Sequence, residues 1–464
     1  MAKPSAFRIL SVLSNIERKK LFHYLQTKFF SNRKELAPLQ QAWQRMQGKP
    51  MDEEKLFKAA LPKKQFNKRD WYLLLSRMQD ATEDFLGVQR YREDPMQQRL
   101  NTLRVYRQLK LPVFFERSFR QAHKLREKHQ QAGAQMLLWD YQTETEYFDF
   151  IASPKLGETT NLQAVSDRLD HYFIAEKLRQ ACLAFGRYLA NQEEYEIRYL
   201  DEVLEDLEAR PDLFKVPAIV LYATCYQAVV AGATEQDFLR LRKVLEFYHD
   251  RFPTAEIRAV YRLAIDRSHL EMTSGKQEFI SLTQSLYQDG LVGGYLLEDN
   301  YLPPDTFTNI VGLGLKLANY DGVATFIQTY TSKLPGPARE PVTNYNLARL
   351  LHAQEAYAPA IKALEAVDTK EPFLLLDTMS LQSRIFAELR EWDAANEILL
   401  KLNTYLQRRS DLGQRGEASQ LFLFFMAHLQ QLNADDLEDK INLQLEIEAT
   451  PEFAEKEWLL RQLK

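Results

Sequence analysis

Glu246 with His249, and Asp266 with His269, each set a carboxylate and an imidazole three residues apart. On a helix that spacing puts both groups on one face, as carboxylate-bridged di-metal bundles require. Such a site also needs two more carboxylates from other helices, and nothing in the sequence marks them. Both pairs therefore read as ordinary surface or satisfied residues, and no metal is expected. Gly312 and Gly314 fall inside a helical pattern with no strand before them, which argues for close helix packing rather than a nucleotide-cradling turn. No nucleophile elbow, Walker loop, zincin motif or cysteine-protease signature occurs. The chain reads as a non-enzyme without a cofactor.

Charge is the stronger signal. Arg117, Arg120, Lys124 and Lys128 fall at i, i+3, i+7 and i+11, which lines four cations along one helical face. Arg99, Arg104, Arg107 and Lys110 enrich the segment before it, and Lys63, Lys64, Lys68 and Arg69 flank a turn further upstream. Trp43, Phe66, Trp71 and Tyr72 are interleaved with these cations, a pattern compatible with phosphate contact plus base stacking. The plain alternative is a solvated face with a helical core behind it. Residues 1–133 hold 28 Lys and Arg against 13 Asp and Glu, a net +15, whereas residues 134–464 carry −19. That split points to nucleic acid, to an acidic partner, or to self-association by charge complementarity with the acidic run around Asp201, Glu205 and Glu208.

These groups must be positioned by helices. The 464 residues include only 16 Gly and 18 Pro, and Leu, Ala, Gln, Glu, Arg and Lys dominate, while no strict alternation bounded by hairpin turns appears. Such a length exceeds one ordinary core and suits either several domains or an elongated repeat array. Cys182 and Cys225 sit among apolar neighbours as free thiols, which suits a reducing compartment. The Ile9–Leu13 stretch is too short for a secretory core, and the longest apolar run, Leu421–Ala427, is far too short to span a bilayer. A cytoplasmic protein without membrane contact is expected.

Ser14 and Glu17 form a capping box that should open a helix running to about Phe30. Asn32 opens a second, closed by Gly48 and Pro50, and a short helix over 52–61 and a long one over 68–91 come next. Three short helices feeding a long one form either a helix-turn-helix variant or a cap packed on the first repeat. Helical hairpins are expected from residue 94 to 290, one of them pairing 165–190 with 193–209, and Pro154 and Gly157 break an earlier one. The Gly- and Pro-bearing segment 291–304 reads as a loop or hinge, 305–412 as clearer repeats, and 413–464 as capping helices.

The repeat is most legible from Tyr345 to Leu402. Tyr357 and Trp392 stand 35 residues apart, and Ala360 with Ala395, Ala348 with Ser383, and Leu364 with Leu399 keep that interval; Tyr320 precedes Tyr357 by 37. With Leu347, Leu351 and Val367 these positions resemble the tetratricopeptide family, whose unit of about 34 residues pairs two antiparallel helices. The first 93 residues form a basic segment whose opening is similar to that of a family of uncharacterised bacterial proteins. The expected fold is all-α: a helical-hairpin solenoid with an N-terminal helical cap or small domain. The resemblance implies a groove lined by the first helix of each hairpin, which by register selects Asn309, Tyr345, Asn346, Arg349, His352, Ser380 and Arg384. Arg349 and Arg384 recur one repeat apart, which suggests a protein or acidic peptide as ligand. The expected function is a protein-binding scaffold; the alternative is a nucleic-acid-binding regulator that uses residues 1–133.

Overall fold

A computed structural model describes residues 4–27, 33–47, 49–129, 131–152, 160–409, 411–432, 437–451 and 453–463. Among these, the chain is all-helical, with 23 α-helices and no strand beyond a single bridge between Glu298 and Tyr301. The expected helix start at Asn32 and the stops at Gly48, Pro154 and Gly157 lie outside the described residues. No helix among the described residues is long and apolar enough to cross a membrane. The chain divides into two compact units, residues 1–130 with 134–172, and residues 131–133 with 173–464.

The first unit opens with α1 (Ser5–Val12), α2 (Asn15–Gln26), α3 (Leu36–Arg45), α4 (Glu53–Ala60) and α5 (Lys68–Glu93). The capping box is formed: Glu17 N–H donates to Ser14 Oγ at 3.2 Å and Ser14 N–H to the Glu17 carboxylate at 2.7 Å. Helix α1 has no counterpart in the sequence expectations, because Ala6, Phe7 and Leu10 give too short a pattern to stand out. Its support is distant in sequence: Phe7 stacks on Trp43 at 5.6 Å and lies beside Trp71, so the short helices close around the long one. Helices α6 (Pro95–Gln108), α7 (Pro112–Lys128) and α8 (Ala134–Ile151) build a second core around Leu100, Phe115 and Trp139, whose indole N–H donates to the Met96 carbonyl at 2.9 Å.

Consecutive helices of the second unit pack in pairs. After α9 (Leu162–Asn191), whose residues from 173 onward belong to this unit, and α10 (Leu200–Ala209) come α11 (Pro217–Val229) with α12 (Glu235–Tyr248), and α13 (Thr254–Thr273) with α14 (Glu278–Val292). The helix expected from residue 193 begins only at Leu200, since Gln192 and Tyr199 take left-handed backbone at φ 58° and 64°. Next are α15 (Pro304–Lys316) with α16 (Tyr320–Tyr330), α17 (Gly336–Ala353) with α18 (Tyr357–Glu365), and α19 (Pro372–Glu388) with α20 (Trp392–Gln407). Helices α21 (Gly413–Gln431), α22 (Leu437–Ala449) and α23 (Lys456–Gln462) end the chain. The first helices also pack on one another, α15 on α17, α17 on α19 and α19 on α21. This arrangement is compatible with a helical repeat.

The register Tyr320, Tyr357, Trp392 has a physical meaning: each is the first residue of the second helix in its pair. Two residues earlier the chain turns through left-handed backbone, at Ala318, Glu355 and Arg390 with φ 51°, 60° and 60°. In each turn the next N–H reaches back five residues: Asn319 to Gly314, Ala356 to Leu351 and Glu391 to Phe386, all at 2.9 Å. That bond closes the helix end in a Schellman turn and aims the second helix back along the first. Ala348, Ala360, Ser383 and Ala395 are fully buried where the helices cross, as the small-residue pattern requires.

Residues 293–303 are the loop between α14 and α15. Arg258 Nε and Nη2 donate to the carbonyls of Tyr295 and Leu297 at 2.9 and 2.7 Å, and Leu302 N–H donates to the Lys333 carbonyl at 2.8 Å. Leu296 and Leu302 are buried, so the segment is tied to its unit at several points.

Candidate ligand groove and basic face

The first helices of three successive pairs share the walls of a cleft of about 510 Å³. Helix α15 contributes Asp305, Thr308 and Asn309, α17 contributes Pro341, Val342 and Tyr345, and α19 contributes Phe373, Leu374 and Asp377, with Lys370, Glu371 and Arg415 also in the lining. Asp377 is the chemically distinct group. Its carboxylate makes no hydrogen bond among the described residues, and its nearest cation, Arg415 of α21, stands 3.9 Å away. Although 40% of its side chain opens on the cleft, burial pushes the carboxyl up; Arg415 and Arg349 pull it down, and Glu371 and Asp305 push it further up. Arg415 itself stacks on the Phe373 ring at 4.9 Å. The cleft thus offers apolar walls, several hydroxyl groups, the Asn309 amide, and charged groups of both signs, among which Asp377 is the carboxylate raised by burial.

Of the residues selected by register, Asn309 and Tyr345 line this cleft. Burial raises the Tyr345 hydroxyl, and Arg349 lies over its ring at 5.7 Å. Asn346 is fully buried and donates to Thr308 Oγ1 at 3.1 Å and the Val342 carbonyl at 2.9 Å. Arg349 donates to the Thr308 carbonyl at 2.9 Å and to Asn346 Oδ1 at 3.0 Å, so its guanidinium ties α17 to α15. His352 Nε2 meets Glu388 at 2.8 Å, and Ser380 is buried.

Arg384 lies over the Trp458 ring at 5.3 Å. Burial lowers its pKa, while Glu455 and Glu388 oppose the shift, and its Nε has no hydrogen-bond partner among the described residues. The two recurring arginines are thus turned toward their own chain. The register favours the C-terminal halves of α17 and α19, whereas the open cleft runs along the N-terminal halves. Asp377 has no place in the repeat pattern, because helix packing does not call for a carboxylate there.

The cations of α6 and α7 fall into two groups. Arg104 and Arg107 both donate to the buried Glu146 carboxylate at 2.8 and 2.9 Å, and Arg107 also reaches Asp149 at 3.2 Å. Arg117, Arg120, Lys124, Lys128 and Lys110 make no ion pair or side-chain hydrogen bond among the described residues, and they stand at or near the surface. Arg99 makes only a 3.3 Å hydrogen bond to Ser118 Oγ. The aromatics interleaved upstream divide likewise: Trp43 and Trp71 are core residues, while Tyr72 is 62% exposed.

The carboxylate–histidine pairs are separately engaged. His249 Nδ1 lies 2.9 Å from the Glu246 carbonyl, and His269 Nε2 lies 2.9 Å from the Tyr287 hydroxyl. Burial lowers the His269 pKa, with Lys316 adding to the shift, and burial raises that of Asp266. Among the described residues no group of three or more metal-ligating side chains comes together. Gly312 and Gly314 serve close packing: an added Cβ would stand 2.8 Å from Arg349 Nη2 and 2.4 Å from Val323 Cγ2 respectively.

No family model matches this chain, and no curated protein or solved structure matches it.

Proposed function

We propose that this chain is a non-enzymatic scaffold, a tetratricopeptide-like solenoid in residues 304–407, that holds an extended protein segment in the cleft between α15, α17 and α19. The supporting observation is the Asp377 carboxylate, which lines the cleft with no hydrogen bond among the described residues and only a long 3.9 Å ion pair to Arg415. A carboxylate so placed gains from a ligand donor, because a partly buried charge with one long ion pair still lacks the hydrogen bonds that water would give it. Arg349 and Arg384 are engaged within the chain, so the ligand chemistry is set by Asp377: a segment presenting Lys, Arg or an amine there, with apolar residues against Val342, Phe373 and Leu374. The buried thiols of Cys182 and Cys225 suit a cytoplasmic setting. The test is selection from a random peptide library on the full-length chain and on Asp377→Asn. Enrichment of a basic residue at one fixed position, lost in the variant, supports the reading. Absence of any enriched sequence, or enrichment indifferent to Asp377→Asn, rejects it.

A further inference from the structure

The cations on the outer face of α7 are a feature independent of the cleft. Arg117, Arg120, Lys124 and Lys128 form a row about 17 Å long on a single helix. The row continues into a hollow of about 400 Å³ between α6 and α7, where Lys124 and Lys128 face Arg99, with Thr102 and Gln121 beside them. No carboxylate lines that hollow. Elsewhere in the same helices the chain does supply counter-charges, Glu146 and Asp149 for Arg104 and Arg107, and Asp140 for Arg126. Glu116 and Glu127 flank the row without an ion pair to it. The row is therefore a run of exposed cations that no carboxylate among the described residues pairs. At its N-terminal end stands Phe114, 54% exposed, one turn before Arg117.

We propose that the α6–α7 face binds a single strand of nucleic acid, its phosphates along Arg117, Arg120, Lys124 and Lys128 and in the Arg99 hollow, with a base against Phe114. Successive cations on the row are about 4.5–6 Å apart along the axis, a spacing suited to a repeating anion. An exposed ring beside such a row supplies the stacking surface by which single strands are held without sequence reading. A lipid surface fits less well. Of the large apolar residues of α7 only Val113 and Phe114, at its N-terminal end, are exposed, while Phe115 is fully buried, so no apolar face runs beside the row to enter a bilayer.

The experiment is an anisotropy titration of the full-length chain with a labelled 20-nucleotide single strand at 50 and 200 mM salt. Four neutralised phosphates predict weakening by about 50-fold between the two conditions. The variant Arg117→Gln/Arg120→Gln/Lys124→Gln/Lys128→Gln, altered only at exposed residues without an ion pair or side-chain hydrogen bond among the described residues, should keep its thermal midpoint and lose both the affinity and the salt dependence. No binding at 50 mM salt overturns the proposal, as does equal binding by the variant. So does equally tight binding of polyglutamate, or of phosphatidylserine vesicles, by the unaltered chain.

Discussion

The Arg384 guanidinium lies 5.3 Å over the ring of Trp458, a residue of the terminal helix 74 positions away, and the same indole donates its N–H to Glu388. One aromatic residue thereby covers a buried cation and satisfies a carboxylate that also meets His352. Trp458→Ala should cost about 3–5 kcal/mol, as expected for removal of a buried large aromatic. Trp458→Phe should keep an aromatic ring and forfeit about 2 kcal/mol for the hydrogen bond to a charged acceptor. Urea unfolding of the two variants separates these contributions.

Gly314 and Val323 meet where α15 crosses α16, with room for no Cβ on the glycine. Gly314→Ala gains up to about 1 kcal/mol in helix preference but incurs about 1–3 kcal/mol of overpacking, so a net loss is expected. Combined with Val323→Ala, the two changes should cost less than their sum. A double-variant cycle in urea reads that coupling directly, and strict additivity would contradict the close contact.

The Schellman turns place Ala318, Glu355 and Arg390 in left-handed backbone, where a side chain costs roughly 1–2 kcal/mol and glycine does not. Glycine loses more chain entropy on folding, so each replacement by Gly should stabilise by about 0.5–1 kcal/mol. The sites are separate, and the triple variant should show a summed rise in thermal midpoint.

Asp377 has its carboxyl raised in the fold, chiefly by burial. The folded chain then holds that proton to higher pH than the unfolded chain does, and stability falls as pH rises from the ordinary carboxylate range through the folded value. Asp377→Asn removes this burden. The variant should melt higher than the unaltered chain at pH 7 and level with it below about pH 4, the ordinary aspartate value. Thermal melts across that window check the sign, and a variant less stable at pH 7 would contradict it.

The hairpins were legible because their signals are local. An aromatic residue opens the second helix, a small one sits at each crossing, and both recur at the interval of one hairpin, as Tyr357 and Trp392 show. Helix α1 was not legible, since its three buried residues acquire meaning only against Trp43 and Trp71. The same reason applies to the groove. Nothing near Arg384 in sequence signals that Trp458 will cover it, and nothing near Arg349 signals that Gly312 leaves it a path to the Thr308 carbonyl. On α7 the spacing alone revealed the row of cations, but which arginines are neutralised depended on Glu146 and Asp149 from another helix.

Pro341 stands inside α17, buried in the wall of the cleft, and has no N–H to give to the Pro337 carbonyl one turn earlier. That carbonyl is without its usual helical donor. Helix α17 therefore lacks one rung of its ladder where it lines the cleft, and its packing on α15 and α19 must hold that turn in place.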